Sequence, residues 1–150
     1  MSIDKDINIS KFRNEYHKAI VNIIYTNNWI MERNKEVFER GDITPQQYNI
    51  LRILRGAKEP LSTLQIRQRM LDKMSDTSRI VDRLLKKDLV KKVVCATDKR
   101  LVDVTITPKG LELLDSLDQY NDELDNVLNS ITKEEVTTLN ALLDKIRNAS

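Results

Sequence analysis

The segment from Ser75 to Lys87 places short polar side chains ahead of cations that recur about one helical turn apart. Near the start of a helix, hydroxyl and carboxylate groups hydrogen-bond to base edges or phosphates, and an arginine bonds guanine through two donors. The chemistry expected of this segment is therefore non-covalent binding through hydrogen bonds and charge. The residues that we expect to contact a polyanion are Ser75, Asp76, Thr77, Ser78, Arg79, Arg83 and Lys86.

A second candidate site is the polar loop Cys95–Arg100, which lies between two runs of β-branched residues. The runs Leu89–Val94 and Leu101–Thr107 predict the strands of a hairpin, because apolar and polar residues alternate in the second run. Lys99 and Arg100 at the tip suit insertion beside a minor groove. The alternative is ordinary protection of a strand edge by charged residues.

The charges of the chain are unevenly distributed, although the net charge is only +2. Residues 61–109 carry twelve Lys and Arg against six Asp and Glu, whereas residues 110–150 carry three against nine. A basic middle favours a localised anionic partner, and nucleic acid is the first candidate. The alternative is a solvated surface on which Arg79 and Arg83 pair with carboxylates of their own helix, at about 0.2–0.5 kcal/mol per pair.

Capping chemistry marks where the helices that position these residues begin. Thr44 and Ser62 are each followed three residues later by Gln, and Thr132 by Glu, as in a capping box. Ser75 is the expected cap of the polar segment described above, and Thr107 precedes a proline that suits the first helical position. The predicted helices cover about 9–40, 45–56, 62–71, 75–87, 108–128 and a final stretch from 133.

Together these elements predict a mainly α (α+β) chain in the order α-α-α-α-β-β-α-α. The helices at 62–71 and 75–87 are separated by about three residues, which is typical of a helix-turn-helix. The long helix from Ile9 to Arg40 meets Gly41 where a helix cap belongs. So long a helix cannot bury both ends within this chain, so we expect it to pack across a partner subunit. The leucines of 114–128 are spaced like a coiled-coil seam.

Composition argues against several classes of function. No apolar run approaches the roughly 18–20 residues that span a bilayer, and the N-terminus lacks the pattern of a signal peptide. With Cys95 as the single cysteine, we expect a cytoplasmic protein. One His, one Cys and no glycine-rich phosphate loop supply little for a metal site or a nucleophile with its base. We therefore expect no enzyme activity, catalytic residue, metal or cofactor.

Three stretches resemble a known family: Ser78–Val90, Asp98–Arg100 and Val104–Gly110. They are similar to the winged-helix core of the MarR family of bacterial transcriptional regulators, over roughly residues 44–110. The Asp-Lys-Arg tip followed by a strand and Thr-Pro-Lys-Gly is the most specific part. Asp88 departs from the pattern, since the family usually has a helix-ending Gly there, so we expect a slightly different turn.

The resemblance implies a homodimer that binds a pseudo-palindromic operator on double-stranded DNA, with two winged cores about one helical turn apart. The terminal helices, about 9–40 and 110–148, would intertwine as dimerisation helices. Residues 1–150 would form a single domain around the core at 44–110. The implied function is transcription regulation, as a repressor that a small-molecule effector releases.

The resemblance also assigns roles to single residues. Arg100 would enter the minor groove, and Asp98 would orient it through a salt bridge. Ser78 and Arg79 would meet bases or phosphates. A small aromatic or anionic effector would bind between the dimer helices and the winged core. For any single candidate, packing in the core or interface is the favoured alternative. The effector candidates are His17, Tyr25, Trp29, Tyr48 and Arg52.

Two other functions stay open at this point. The first is a thiol-based redox sensor, because basic residues around Cys95 favour its thiolate. Against it, the peroxide-sensing branch of the family carries its cysteine in the first helix, where this chain has none. The second is a winged-helix adaptor that does not bind DNA. The terminal helices would serve an adaptor equally well, but an adaptor has no need of the basic excess in 61–109.

Overall fold

The computed structural model describes residues 2–9, 11–94, 97–98 and 102–148. The chain forms two compact units, Met1–Gln119 and Tyr120–Ser150. The helices described in the first unit are α1 (Ile3–Asp6), α2 (Glu15–Arg40), α3 (Pro45–Gly56), α4 (Thr63–Arg69), α5 (Thr77–Lys86) and α6 (Pro108–Asp118). Its strands are β1 (Leu61–Ser62), β2 (Val90–Val94) and β3 (Val102–Ile106). The second unit contains α7 (Asn121–Asp125), a 3-10 turn (Asn126–Leu128) and α8 (Lys133–Asn148).

The predicted fold class is confirmed: the chain is mostly helical and has one small antiparallel sheet. The predicted order of eight elements is present as α2 to α6, the β2–β3 hairpin and α8, with α1, β1 and α7 in addition. The strands lie in the order β1-β3-β2. Leu61 of β1 pairs with Val104 of β3, and Val90 of β2 pairs with Ile106. A strand of two residues carries no alternation, so its sequence did not reveal it.

The capping boxes before α3 and α4 are confirmed. The backbone N–H of Gln47 donates to Thr44 Oγ1 at 3.1 Å, and the N–H of Thr44 donates to Gln47 Oε1 at 3.1 Å. Ser62 and Gln65 repeat the exchange at 2.9 and 3.1 Å. Each box satisfies backbone donors that the first helical turn leaves without a partner. Helices α3 and α4 therefore start at positions fixed by local chemistry.

The predicted cap of α5 is wrong by one residue. Asp76 is the N-cap, because its Oδ1 accepts from the N–H of Arg79 at 3.2 Å, and α5 begins at Thr77. Ser75 stays in the preceding turn, since its hydroxyl donates to the carbonyl of Asp72 at 2.7 Å. Both Ser and Asp are good caps. Because the Ser75 hydroxyl is bonded to the carbonyl of Asp72, Asp76 caps the helix instead.

The predicted first helix is also too long at its N-terminal end. The short helix α1 comes first, and Asn8 then adopts a left-handed conformation with φ 55°. Helix α2 begins only at Glu15, where Asn14 Oδ1 accepts from the N–H of His17 at 2.9 Å. Asparagine favours both positions, because it tolerates positive φ and caps helices well. At the other end, Gly41 is the C-cap as predicted.

The core of the first unit lies between α3, α4, α5, α6 and β3. Its most deeply buried side chains are Ile50, Leu51, Ile66, Val81, Leu84, Val104 and Leu114. At its margin, the guanidinium of Arg55 on α3 binds both carboxylate oxygens of Asp118 on α6, at 2.9 and 3.3 Å. This hydrogen-bonded carboxylate raises the pKa of Arg55. The paired geometry fixes the end of α6 against α3.

The continuous helix predicted through Leu128 is interrupted, so the leucines of 114–128 do not form one seam. Helix α6 ends at Asp118. In its last turn the Ser116 hydroxyl donates to the carbonyl of Leu113, and the Gln119 side chain donates to the carbonyl of Ser116, both at 2.7 Å. Polar side chains that occupy backbone carbonyls in this way compete with helix continuation. Later in the chain, the capping box between Thr132 and Glu135 is confirmed.

Candidate nucleic-acid interface

Residues 70–76 join α4 to α5 through an ordered turn. The N–H of Leu71 donates to the Asn49 side chain of α3 at 2.9 Å. The N–H of Met74 donates to Asp72 Oδ1 at 2.9 Å, and the Lys73 ammonium donates to the carbonyl of Gln68. These bonds set the direction in which α5 leaves the turn. Helices α4 and α5 therefore form the predicted helix-turn-helix.

Helix α5 buries one side and exposes the other. Val81 and Leu84 point into the core. The exposed side, which we call the reading face, consists of Ser78, Arg79, Asp82, Arg83 and Lys86. Thr77 belongs to the buried side, which corrects its place among the predicted contact residues. Its hydroxyl oxygen has no hydrogen-bond partner among the described residues.

The arginines of the reading face are not paired with acidic residues of their own helix. Among the described residues, neither Arg79 nor Arg83 has an ion-pair partner, so the solvated pairing considered from the sequence is not formed. The Asp76 carboxylate caps the helix instead. Asp82 lies 3.8 Å from the ammonium of Lys92 on β2, a pair that is more than half exposed and worth at most about 1 kcal/mol.

The hairpin of β2 and β3, which we call the wing, is paired from Val90 with Ile106 at its base to Val94 with Val102. This register confirms the predicted hairpin. The predicted contact residues Lys99 and Arg100, together with Cys95, lie outside the described residues. Asp98 is described and is half-buried. Its proposed partnership with Arg100 therefore stays a prediction.

The base of the wing holds the end of α5. We define the wing base as residues 87–89 and 107–110. The Thr107 hydroxyl donates to the carbonyl of Asp88 at 2.7 Å, and the Lys109 ammonium donates to the carbonyl of Lys87 at 2.9 Å. Asp88 adopts φ 60°, so it takes the left-handed turn that usually calls for glycine. The helix therefore ends in the left-handed conformation that a glycine would adopt, although an aspartate occupies the position.

Two lysines at this position have a role that the sequence reading did not assign. The Lys87 ammonium donates to the carbonyl of Asp42, just after α2. The Lys109 ammonium donates to the carbonyl of Lys87, the C-cap of α5. Lysines near a helix C-terminus satisfy carbonyls that the helix leaves free. The available signal was their position, at the C-cap of α5 and in the first turn of α6. They link α5 to two other helices.

The five predicted effector residues fall into three groups. Tyr25 and Trp29 lie one turn apart on α2 and line an open depression of about 500 Å³, with Met31, Lys35 and Pro45 among the other lining residues. Tyr48 and Arg52 form a separate pair on α3, in which the guanidinium donates to the phenol oxygen at 3.0 Å. His17 lies about 18 Å along α2 from Trp29, at 1.5 Å per residue.

Two further findings concern other classes of site. The described residues contain no group of three or more His, Cys, Asp or Glu side chains placed to hold a metal ion. Among the same residues, no helix has the length and apolar character needed to cross a membrane. The candidate site is the combination of the reading face on α5 and the wing beside it.

An ordered helix-turn-helix, a cationic face on its second helix and an adjoining antiparallel wing are the parts of a winged helix-turn-helix DNA-binding protein. Comparison with known proteins agrees with this class. The model of the MarR family matches residues 41–101. The multiple antibiotic resistance protein MarR of Salmonella typhimurium is 30% identical over 107 residues, which cover 70% of this chain and 74% of the relative.

Solved structures show the same arrangement. A mutant MarR from E. coli complexed with operator DNA is 27% identical, with a TM-score of 0.82 over 91% of this chain and 99% of the other. The organohalide-sensing regulator RdhR-CbdbA1625, in its 2,4-dichlorophenol-bound form, is 22% identical, with a TM-score of 0.80 over 90% and 80%. This chain belongs to the MarR family, and it is a DNA-binding transcription regulator.

Proposed function

We propose that this regulator binds a pseudo-palindromic operator as a homodimer, with α5 of each subunit in the major groove, and that it represses transcription until an effector releases it. Such a role places the chain in the cytoplasm. The observation that carries the proposal is the reading face, on which Arg79 and Arg83 have no acidic partner among the described residues. Unpaired cations on the second helix of a helix-turn-helix are available for bases and phosphates.

The proposed contacts follow from position on the helix. Ser78 and Arg79 lie in the first turn of α5, where a recognition helix meets base edges. Arg83 and Lys86 follow on the same face, and Ser75 and Asp76 precede it in the turn. From the resemblance, Lys99 and Arg100 of the wing would reach the adjacent minor groove, with Asp98 orienting the arginine. The basic excess of 61–109 supports the whole set.

Removing one arginine tests the reading face. Arg79→Ala and Arg83→Ala should each weaken operator binding by about 1–3 kcal/mol, because a charged donor to a base or phosphate is lost. Affinity is measured by fluorescence anisotropy on a duplex selected from random DNA with the natural chain. Lys58→Ala removes an exposed cation outside the proposed DNA contacts and dimerisation segments, and this control should bind as before. Unchanged affinity of both variants would show that the reading face does not contact the operator, and failure of the natural chain to select any duplex would favour the adaptor that does not bind DNA.

The homodimer is supported by an apolar row on α2 that this chain leaves exposed. Ile20 and Ile24 are 55% and 58% exposed, and Ile23, Tyr16 and Met31 lie on the same side of the helix. A contiguous apolar row in water is unfavourable and marks an interface. In the second unit, Leu139, Leu142 and Ile146 of α8 are likewise exposed. We propose that a second copy covers both rows, so that 9–40 and 110–148 act as dimerisation segments within one domain.

A buried charge tests this interface. Ile24→Glu should weaken the dimer roughly tenfold or more, because the carboxylate would lose its water against a second copy. Asn22→Glu places the same charge about 160° away on α2 and should leave the dimer intact. Sedimentation over a range of concentrations measures both. Equal dimerisation of the two variants would show that this face is not the interface.

The effector is proposed to be a small aromatic anion bound in the depression beside Tyr25 and Trp29. Its volume of about 500 Å³ lies in the range that holds small ligands. Two aromatic rings suit an aromatic ligand, and the ammonium of Lys35 suits a negative charge on it. Glu32 also lines the depression, and Glu39 lies 3.7 Å from the Lys35 ammonium. The Arg33 guanidinium lies 3.5 Å from the centre of the Trp29 ring, which adds cationic character. A fold relative bound to 2,4-dichlorophenol supports this ligand class.

Trp29 is the single tryptophan of the chain, so its fluorescence reports on this depression directly. Benzoate and 2,4-dichlorophenol should change that fluorescence and release the selected duplex over the same concentration range. Lys35→Ala should weaken benzoate binding several-fold, while Lys58→Ala, on an exposed loop, should not. Release of DNA without a change in Trp29 fluorescence would place the effector elsewhere.

A further inference from the structure

The turn between α4 and α5 exposes two large apolar side chains. Leu71 is 88% exposed and Met74 is 92% exposed, whereas Met70 beside them is buried. The backbone of both residues is anchored, since the N–H of Leu71 binds Asn49 and the N–H of Met74 binds Asp72. The turn is therefore ordered with these two side chains directed into solvent. Large exposed apolar groups on an ordered segment indicate a contact surface.

The position of this turn indicates which partner it meets. Met74 precedes the N-cap of α5 by two residues, so it adjoins the part of the recognition helix that meets base edges. Arg69 and Lys73 are balanced in this stretch by Asp72 and Asp76, so the turn carries no net charge, and its two exposed apolar side chains are its distinguishing feature. In the major groove of DNA, the apolar groups available for contact are the C5-methyl groups of thymine.

We propose that Met74, flanked by Leu71, contacts a thymine methyl group at the edge of each half-site and makes the protein prefer thymine there. The inference rests on the proposed operator binding. A methionine suits this contact, because its unbranched, flexible side chain adapts to a small apolar target. Burying one methyl-sized group contributes about 0.8 kcal/mol, so the expected preference for thymine over a base without the methyl is roughly three- to fivefold.

The experiment replaces thymine by uracil, which lacks only the C5-methyl group. Duplexes are first selected from random DNA with the natural chain, and Kd is then measured with each thymine exchanged in turn. The natural chain should bind one uracil-containing duplex about three- to fivefold more weakly. Met74→Gln should bind that duplex and its thymine counterpart equally, and Met74→Leu should keep the preference.

A matched control separates this contact from a general effect of apolar exposure. Leu64 on α4 is 63% exposed and lies outside the turn, so Leu64→Gln should keep the preference for thymine. Because Met74 is almost fully exposed, its variants should unfold at the temperature of the natural chain. Thermal unfolding verifies that each variant is folded.

Two results overturn the inference in different ways. In one, the natural chain binds every thymine duplex and its uracil counterpart equally, and in the other, Met74→Gln retains the preference for thymine. Either result would show that Met74 does not contact a thymine methyl group and would indicate a protein partner for the turn. Either result leaves operator binding intact. Failure of the natural chain to select any duplex would instead overturn the proposed function, and the inference with it.

Discussion

Gly110, in the first turn of α6, packs so closely against the rest of the wing base that a side chain larger than a hydrogen atom would not fit. A Cβ placed there would lie 2.4 Å from the carbonyl oxygen of Leu89 and 2.7 Å from Cγ1 of Ile106. This close approach lets Thr107 reach the carbonyl of Asp88 and lets Lys109 reach that of Lys87. The end of α5, the base of the wing and the start of α6 are thereby held as one assembly.

The rest of the DNA-binding surface depends on this assembly. It fixes the angle between the reading face of α5 and the wing, the two surfaces that we propose to meet neighbouring grooves. The ammonium of Lys87 extends the connection to Asp42, at the end of the long helix α2. A shift of α2 in a dimer would therefore act on the end of α5 directly. The same helix carries the exposed isoleucines and the depression beside Trp29.

Helix caps, which depend on nearby residues, could be predicted from the sequence, whereas strand pairing and burial, which depend on distant residues, could not. The caps at Thr44 and Ser62 depend on residues three positions away, so a short pattern was enough. Strand β1 exists only because Leu61 pairs with Val104, more than forty residues later. Thr77 was placed with the contact residues because its type suits them, but packing buried it. The contacts at the wing tip were predicted from resemblance, and they remain a prediction.

Close packing at Gly110 orients the reading face relative to the wing. Gly110→Ala tests it most directly, with Gly56→Ala as control, because a Cβ on Gly56 meets nothing within 4 Å. We expect Gly110→Ala to lose about 1–3 kcal/mol of unfolding free energy and to bind the selected duplex more weakly, while Gly56→Ala keeps both its stability and its DNA affinity. A Gly110→Ala variant with the thermal stability and DNA affinity of the natural chain would show that this packing does not orient the reading face.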